Sequence, residues 1–299
     1  MSSMDTIGFI GLGVMGGPMC RNMALKHPGR VIAFDLSASA LDALSDTKAE
    51  RAASIAGLAA EADMIFLSLP GGPQVEKVCG GDIAAHARPG TIVVDLSTTP
   101  VSVARQVAAG LAEKGLSFAD APVARTREAA QKGQLSIMVG ASQEIFGRIR
   151  PMLDYIATDI THGGEVGCGQ VLKLVNNMLV FENVVTVAEM MVLGEKAGVA
   201  PETLLDAVSK GSGDSFVVRN HARKSMLPRD FPERSFPPEY VLKDIDYVFQ
   251  LAQETGVPLK AAETVRRYYE AAVARGLGGR YFPGVIRLVE EGAMAEDET

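Results

Sequence analysis

The chain has 299 residues, 47% of them hydrophobic and 22% charged, as in an ordinary globular protein large enough for two domains. The net charge of −7 gives no support to nucleic-acid binding, and no run approaches the roughly 18 uninterrupted apolar residues of a membrane span, so we expect neither partner. The histidines and the three cysteines (Cys20, Cys79 and Cys168) show no metal-ligand or CxxC spacing, which predicts no metal site and favours a reducing, cytoplasmic location over a disulfide framework.

Short apolar runs alternate with segments of helical periodicity through the first half of the chain. Strands are predicted at residues 6–10, 31–34, 64–68, 91–95, 117–120, 135–139 and 158–161. Helices are predicted at 15–26, 39–45, 54–61, 74–79, 101–113 and 143–154. This alternation predicts an α/β domain of the Rossmann type over residues 1–163, with a mostly parallel sheet whose carboxyl strand ends hold the ligand.

A glycine-rich run, GLGVMG at residues 11–16, joins the first predicted strand to the first predicted helix. In a dinucleotide site the first glycine permits a tight turn, the second lets the backbone approach the pyrophosphate, and the third lets the helix pack close to the strand. Asp35 follows the second predicted strand, where its carboxylate can accept from ribose hydroxyls and would repel a 2′-phosphate. The alternative is a glycine turn in some other α/β protein. The spacing predicts NAD rather than NADP, held by Gly11, Leu12, Gly13, Val14, Met15, Gly16, Asp35 and Leu36.

The pattern changes after His162-Gly163-Gly164. Apolar residues recur at helical spacing without proline from Glu165 to Lys196, which predicts one long helix. Further helices are predicted at 201–209, 215–226, 239–255, 258–275 and 284–292. We therefore predict an all-α domain over residues 164–299, led by a helix that joins the two domains. Small-ligand sites tend to form in clefts between domains.

Near the start of this helix, Lys173 and Asn177 are four residues apart and share a face, with Asn176 beside them. A lysine ammonium can donate a proton to a carbonyl oxygen during reduction, and the neutral amine can accept it during oxidation. The alternative is a surface lysine that snorkels from a packed helix.

Four segments and a weaker fifth resemble the β-hydroxyacid dehydrogenases, the family that includes 3-hydroxyisobutyrate dehydrogenase and tartronate semialdehyde reductase. They are GFIGLGVMGGPMCRNM (8–23), DLSTTP (95–100), DAPVARTREAAQKGQLSIMVG (120–140), GCGQVLKLVNNML (167–179) and YVLKDIDYVFQLA (240–252). The resemblance spans nearly the whole chain. It implies NAD as cofactor, a small anionic substrate, a Rossmann-type domain followed by a helical domain, and a homodimer or homotetramer formed largely through the helical part.

The resemblance also implies roles for individual residues. Lys173 matches the family's catalytic lysine, and Asn177 matches the amide that orients the substrate, with Asn176 assigned to the substrate beside it. The matching cofactor positions are Met15, Asp35, Leu69, Pro70 and Thr98, together with Lys243, which matches a lysine of the helical domain that closes on the cofactor.

The chain departs from the family in its substrate loop, which usually reads Asp-Ala-Pro-Val-Ser-Gly-Gly. Here Val123 is followed by Ala124, Arg125 and Thr126, so the serine is lost and an arginine replaces the first glycine. The loop is similar to that of the sulfolactaldehyde reductases, in which an arginine and a threonine meet the sulfonate. We assign these four residues to the substrate and expect Arg125 to grip a sulfonate or a second carboxylate.

Two basic features have simpler interpretations. Arg125 could instead pair with Glu128 or Asp120 and face solvent. A second basic cluster could contribute to anion binding, although a solvated helix face is the preferred interpretation; it consists of Arg219, Arg223 and Lys224.

These matches predict an NAD-dependent oxidoreductase whose first-choice substrate is sulfolactaldehyde or another three- to four-carbon anionic aldehyde. Within the class, the alternatives are 3-hydroxyisobutyrate and 2-(hydroxymethyl)glutarate. Imine reduction is disfavoured by Lys173, which imine reductases usually lack. An alternative of another class is a non-catalytic NAD-sensing module, against which the Lys173 and Asn177 pair is the main argument.

Overall fold

The computed structural model describes residues 5–233 and 235–294 of the chain. The chain divides into two compact units, the first ending at Lys173 and the second beginning at Leu174. The predicted boundary, between residues 163 and 164, lies just before the long helix, whereas the division falls inside that helix. The reason is that the first turn of the helix is hydrogen-bonded to loops of the first unit, as described below.

The first unit is built on a nine-stranded sheet in which the strand order is β3-β2-β1-β4-β5-β6-β8-β7, with β9 also paired to β8. The strands are β1 (Ile7–Ile10), β2 (Val31–Phe34), β3 (Glu50–Arg51), β4 (Met64–Leu67), β5 (Ile92–Asp95), β6 (Ser117–Asp120), β7 (Val123–Ala124), β8 (Leu135–Gly140) and β9 (Ala157–Gly164). All pairings are parallel except those of β8 with β6 and β7. The predicted fold class, with a mostly parallel sheet, is confirmed.

Helices connect these strands. They are α1 (Gly16–Lys26), α2 (Ala38–Asp42), α3 (Ile55–Glu61), α4 (Gly72–Val78), α5 (Ala84–His86), α6 (Val101–Ala112), α7 (Arg127–Lys132) and α8 (Gln143–Leu153), with a π-helical segment at Cys79–Ile83. The prediction missed β3, β7, α5 and α7. Two-residue strands show no alternation along the sequence, and α5 and α7 are each too short to show a helical period.

The sheet has an apolar core on each face, because successive residues of a strand point to opposite sides. Ile7 and Phe9 of β1 lie in one core together with side chains of α1 and α8. Ile10 lies in the other core, with side chains of α3, α4 and α6. Burial on both faces explains why the predicted strands read as continuous apolar runs rather than as alternating ones.

The direction in which successive strands are added to the sheet reverses at β1, which pairs with β2 on one side and with β4 on the other. In open parallel sheets, ligands bind outside the carboxyl ends of the strands at such a reversal. The turns that follow β1 and β4 begin at Gly11 and Ser68, so the fold predicts a ligand site at these two loops.

The second unit is helical. Its helices are α9 (Cys168–Lys196, which begins in the first unit), α10 (Pro201–Val208), α11 (Pro238–Thr255), α12 (Lys260–Ala272) and α13 (Ile286–Glu290), with π-helical segments at Val217–Met226 and Val273–Leu277 and a 3₁₀ turn at Phe282–Val285. Within the described part of this unit, β-pairing is limited to one bridge between Glu233 and Arg280. By length and composition alone, α9 is apolar enough to cross a membrane, a test that core helices of soluble proteins also pass.

Two buried carboxylates lie side by side at the carboxyl ends of β5 and β6, where Asp95 and Asp120 are register partners. Burial raises the pKa of Asp95 to about 7, with hydrogen bonds from Ser97 and Thr99 opposing this shift and the charge of Asp120 adding to it. Burial likewise raises the pKa of Asp120 to about 6, against backbone hydrogen bonds from the start of α9. The fold therefore holds protons here that an unfolded chain would have lost at the same pH.

We expect Asp95→Asn to change how stability depends on pH. Between pH 3.8 and about 7 the folded chain keeps a proton on Asp95 that the unfolded chain has lost, so the stability due to this group falls as pH rises. The difference in free energy of unfolding, Asp95→Asn minus wild type, should increase by on the order of 1 kcal/mol per pH unit up to about pH 7 and then stay constant. Urea unfolding followed by circular dichroism measures this, because the chain has no tryptophan. The exposed Asp82→Asn is the control, and a pH-independent difference would contradict the raised pKa.

Candidate functional site

The glycine-rich turn after β1 contains two glycines that the protein itself requires. Gly11 has a φ of +94°, and a Cβ there would lie 2.2 Å from the carbonyl oxygen of Ser68. A Cβ on Gly16 would lie 2.0 Å from the carbonyl oxygen of Gly11. These two glycines therefore permit the tight turn and the close packing of α1 on the strand, as predicted.

Gly13, the middle glycine, differs from both. A Cβ built on Gly13 meets no protein atom within 4 Å, and the residue is exposed. Packing within the chain therefore gives no reason for glycine at this position. Close approach of a ligand's pyrophosphate to the backbone does give a reason, because the free N–H groups of the first turn of α1 can bind an anion there.

Asp35 lies at the carboxyl end of β2, and backbone groups fix the direction of its carboxylate. One oxygen accepts from the N–H of Leu12 at 2.6 Å, and the other accepts from the N–H of Ser37 at 2.7 Å. Each oxygen keeps a lone pair for a ribose hydroxyl. The neighbouring Leu36 is 95% exposed, an apolar surface beside the ribose position on which an adenine ring could pack.

The other predicted cofactor residues lie in loops at the carboxyl strand ends. Val14 is exposed, whereas Leu12 is buried in the core and can contribute only its backbone. Three more are half-buried or exposed beyond β4 and β5: Leu69, Pro70 and Thr98. Met15, just before α1, is partly buried and packs against the core. The N–H of Leu69 donates to the Ser97 hydroxyl at 2.8 Å, which ties these two loops together.

These features together fit a bound dinucleotide. The turn offers an open backbone cradle, the helix offers its positive end, and the second strand offers an oriented carboxylate. By contrast, residues 5–233 and 235–294 contain no group of three or more histidine, cysteine, aspartate or glutamate side chains that could hold a metal ion.

Lys173 and Asn177 lie one turn apart on α9 and are both buried. Lys173 is only 9% exposed, so it is not the surface lysine of the alternative interpretation. The amide nitrogen of Asn177 donates to Asp244 Oδ2 at 2.7 Å, and its Oδ1 accepts from the amide of Asn176 at 3.2 Å. Because a carboxylate can only accept, Asp244 fixes which end of the Asn177 amide points which way.

Lys243 lies on α11 next to Asp244. Its ammonium is 3.0 Å from Asp244 Oδ1 and stands over the ring of Tyr247, 5.1 Å from the ring centroid. These contacts lie within the helical unit. The closing of Lys243 on the cofactor therefore stays a prediction.

Arg125 has a partner that the sequence did not reveal. Its guanidinium donates to Asp159 at 2.7 Å, to the hydroxyl of Thr158 at 2.9 Å and to the carbonyl of Gln134 at 2.8 Å, on an exposed surface. Hydrogen bonds from Thr158 and Arg125 lower the pKa of Asp159. The contact joins the loop after β7 to β9, so the guanidinium is already engaged within the protein.

The alternative interpretation, in which Arg125 pairs with a carboxylate and faces solvent, agrees with the structure, except that the partner is Asp159 in place of Glu128 or Asp120. Glu128 pairs with Lys132 at 2.7 Å, and Asp120 is buried against the start of α9. The φ of Arg125 is +87°, in the left-handed region that favours the glycine usual in the family. A non-glycine residue held there carries strain of roughly 1–3 kcal/mol, more than an exposed ion pair normally offsets.

The rest of the substrate loop has structural contacts too. Thr126 accepts from the N–H of Ala129 at 3.4 Å and caps α7. Val123 and Ala124 form β7, paired with Ile137 and Ser136 of β8.

The second basic cluster forms ion pairs within the helical unit. Arg219 lies 3.5 Å from Asp214, and Arg223 lies 2.7 Å from Asp206, while Lys224 is exposed. These pairs favour the solvated-face interpretation over anion binding.

The sequence analysis did not identify the roles of three buried polar residues: Asp244, which binds Asn177 in the helical unit, and Asp120 and Gln170 in the first unit. Asp244 lies 67 residues from Asn177, and Asp120 lies 50 residues from Gln170, so no local spacing connects them. The available signal was a polar residue inside an otherwise apolar stretch, which applies to Gln170 on α9.

Comparison with known proteins agrees with this geometry. Residues 6–164 match the family described as the NAD-binding domain of 6-phosphogluconate dehydrogenase. Residues 167–289 match the family described as the NAD-binding domain of NADP-dependent 3-hydroxyisobutyrate dehydrogenase. The chain belongs to the β-hydroxyacid dehydrogenase family. It is an oxidoreductase that acts on a CH–OH group with NAD as cofactor.

Relatives of this dehydrogenase match over almost its full length. The 2-(hydroxymethyl)glutarate dehydrogenase of Eubacterium barkeri is 37% identical over 97% of each chain. The NAD-dependent L-serine dehydrogenase of Pseudomonas aeruginosa is 31% identical over 96% of this chain and 98% of its own. The solved structure of Mycobacterium tuberculosis 3-hydroxyisobutyrate dehydrogenase with L-serine superposes with a TM-score of 0.88 at 31% identity, covering 96% of this chain and 99% of that one.

We expect Gly13→Ala to weaken NADH binding at least tenfold without lowering thermal stability, because the added methyl enters space that only a ligand would use. Gly80→Ala is a matched control, since a Cβ there also meets nothing within 4 Å. Gly11→Ala should instead destabilise the fold. Fluorescence titration of NADH and thermal unfolding of each variant measure both effects, and an unchanged dissociation constant in Gly13→Ala would remove this glycine from the site.

Proposed function

We propose that this dehydrogenase interconverts a small anionic β-hydroxyacid and its semialdehyde, with Lys173 transferring the proton of the reacting oxygen. The observation that carries the proposal is the burial of Lys173, one helical turn from the oriented amide of Asn177. Lysines are rarely buried in proteins without a specific role or partner. A buried ammonium beside an amide can bind an oxygen and exchange a proton with it.

In reduction, the Lys173 ammonium donates a proton to the carbonyl oxygen as that oxygen becomes an alkoxide. In oxidation, the neutral amine takes the proton from the hydroxyl. Asn177 holds the same oxygen, and Asp244 keeps the amide in one orientation while it does so. NAD supplies the hydride-transfer chemistry when bound. The Asp35 carboxylate favours NAD over NADP in this proposal, because a 2′-phosphate beside it would be repelled.

We propose that the anionic group of the substrate is a carboxylate and not a sulfonate. The sulfonate expectation depended on a free Arg125, and the guanidinium is held by Asp159. The relatives are named for substrates that carry carboxylates. These are 2-(hydroxymethyl)glutarate, which has two carboxylates, and 3-hydroxyisobutyrate and L-serine, which have one each. We therefore propose a hydroxyacid with one or two carboxylates and place 2-(hydroxymethyl)glutarate first.

Two rival functions have less support. Imine reduction needs no lysine to deliver a proton to an oxygen, so it leaves the buried Lys173 unexplained. A non-catalytic NAD sensor would need the cofactor cradle but would not need the Lys173 and Asn177 pair. Turnover of any hydroxyacid that depends on Lys173 excludes the sensor.

We also propose that a second copy of the chain covers one face of α9. Four exposed apolar side chains lie on that face: Val175, Leu179, Met190 and Leu193. Their spacings of 4, 11 and 3 residues keep them within about 60° of one another around the helix. Exposed apolar side chains aligned on one face of a helix in this way are typical of a protein–protein interface.

The first test is NADH consumption with a panel of anionic aldehydes: 2-formylglutarate, methylmalonate semialdehyde, tartronate semialdehyde, succinate semialdehyde, glyoxylate and sulfolactaldehyde. We expect a carboxylate aldehyde to be preferred. Lys173→Ala should lower kcat by roughly 10²- to 10⁴-fold while NADH still binds. A Lys173→Ala enzyme with the wild-type rate would exclude the proton-transfer role.

Arg125→Gly belongs in the same assay, because it removes the guanidinium and relieves the positive φ together. We expect its kcat/KM for the preferred carboxylate to stay within about threefold of wild type. Arg125→Ala is the matched variant that removes the guanidinium but keeps the strain. A preference for sulfolactaldehyde that disappears in both variants would overturn the carboxylate proposal.

Sedimentation velocity tests the assembly. We expect wild-type protein to be a dimer or tetramer, and the double variant Leu179→Glu/Leu193→Glu to sediment as a monomer, because two buried charges would oppose the interface. Leu25→Glu is the control, since Leu25 on α1 is 58% exposed and Leu179 is 54% exposed. A wild-type monomer at micromolar concentration would contradict the proposal.

A further inference from the structure

Gln170 lies on the first turn of α9 and is completely buried. Its side-chain oxygen accepts from the N–H of Thr99 at 3.1 Å, and its side-chain nitrogen donates to the carbonyl oxygen of Ser97 at 2.8 Å. The amide thus binds the backbone on both sides of Thr98. One donor and one acceptor are satisfied at once, as a neighbouring β-strand would satisfy them.

This arrangement fixes the loop in which Thr98 lies. Thr98 itself is half-buried, and its two neighbouring peptide groups are held by one side chain. The hydroxyl of Ser97 accepts from the N–H of Leu69, so the loop after β4 is tied to the loop after β5. Both loops carry residues predicted to line the cofactor.

The other side of Gln170 is fixed to the sheet. Its backbone N–H donates to Asp120 Oδ2 at 2.8 Å, and the N–H of Gly167 donates to Asp120 Oδ1 at 2.7 Å. A Cβ on Gly169 would lie 2.4 Å from the carbonyl oxygen of Met138, so the helix start has no room to shift toward the strand. The first turn of α9 is therefore packed closely against β6 and β8 and hydrogen-bonded to Asp120.

Lys173 follows Gln170 by three residues on the same helix. Any rotation or slide of this turn relative to the Ser97–Thr99 loop would move the ammonium relative to Thr98. Displacements of about 1 Å in an active site can lower rates by about 10²-fold. The side-chain amide of Gln170 is the direct link between the two.

We propose that Gln170 is a positioning residue, which sets the place of Lys173 relative to the Thr98 loop through its paired hydrogen bonds to Ser97 and Thr99. This inference rests on the proposed role of Lys173. It assigns Gln170 no contact with substrate or cofactor. It differs from a purely structural role, in which Gln170 only satisfies buried backbone groups and stabilises the fold.

The first test is Gln170→Met, which keeps the length of the side chain and removes both hydrogen bonds. We expect kcat to fall about 10- to 100-fold, with the dissociation constant for NADH within about threefold of wild type. The primary isotope effect with deuterated NADH should rise, because the chemical step becomes limiting. Gln143→Met is the matched control, an exposed glutamine at the start of α8. A purely structural role predicts a lower melting temperature. At assay temperatures well below that melting temperature, kcat and the isotope effect would be unchanged.

Gln170→Glu gives an independent readout if Gln170→Met does not fold. A protonated glutamic acid has one donor and one acceptor, as the amide has, whereas the ionised form can only accept. Burial raises the pKa of such a group. The kcat of Gln170→Glu relative to wild type should therefore rise as pH is lowered. A constant ratio from pH 5.5 to 8.5 would contradict the role of the donor to Ser97.

A double-mutant comparison separates this inference from the proposed function. If Gln170 acts through Lys173, Gln170→Met should lower kcat no further in the Lys173→Ala background. If Lys173→Ala is nearly inactive and Gln170→Met still lowers its residual rate by the full factor, the positioning role is wrong and the role of Lys173 stands. If Lys173→Ala keeps the wild-type rate, both are wrong.

Discussion

The carboxylate of Asp120 holds the long helix α9 to the end of the parallel sheet, and the chemistry proposed for this enzyme depends on that attachment. Backbone N–H groups at the start of α9 have no partners within the helix, and a buried anion satisfies two of them. Gly140 and Gly169 make the approach possible, because a Cβ on either would clash with Asp120. A helix fixed at this point carries Lys173 in a defined place one turn later.

The attachment of α9 requires carboxyl groups to be buried, and this burial lowers the stability of the fold. Asp95 and Asp120 are neighbours at the ends of β5 and β6, and burial raises the pKa of both. Removing both carboxyls from water is unfavourable, and hydrogen bonds from two loops and one helix offset part of that cost. The polar groups that organise the site thus reduce the stability of the fold, which is common at functional sites.

Arg125 shows a different balance. The family's usual loop sequence has a glycine at this position, and here an arginine adopts a left-handed backbone conformation. Its ion pair with Asp159 lies at the surface, where such pairs contribute little. The strain at this position exceeds what such a surface pair normally contributes, so Arg125 gives the fold no net stability here. Its guanidinium nevertheless has partners, so a motif resemblance alone is insufficient to assign it to a substrate anion.

The sequence by itself determined the fold class, the dinucleotide turn and the pair of Lys173 and Asn177, because each depends on local spacing: alternation of apolar runs, glycines at fixed offsets, and one helical turn. Tertiary structure alone decided the partners that orient these groups. Asp244 on Asn177, Asp159 on Arg125, and Gln170 against Ser97 and Thr99 are joined across 34 to 73 residues of chain. Contacts of that kind arise when separate strands and helices meet, and no period along the chain encodes them.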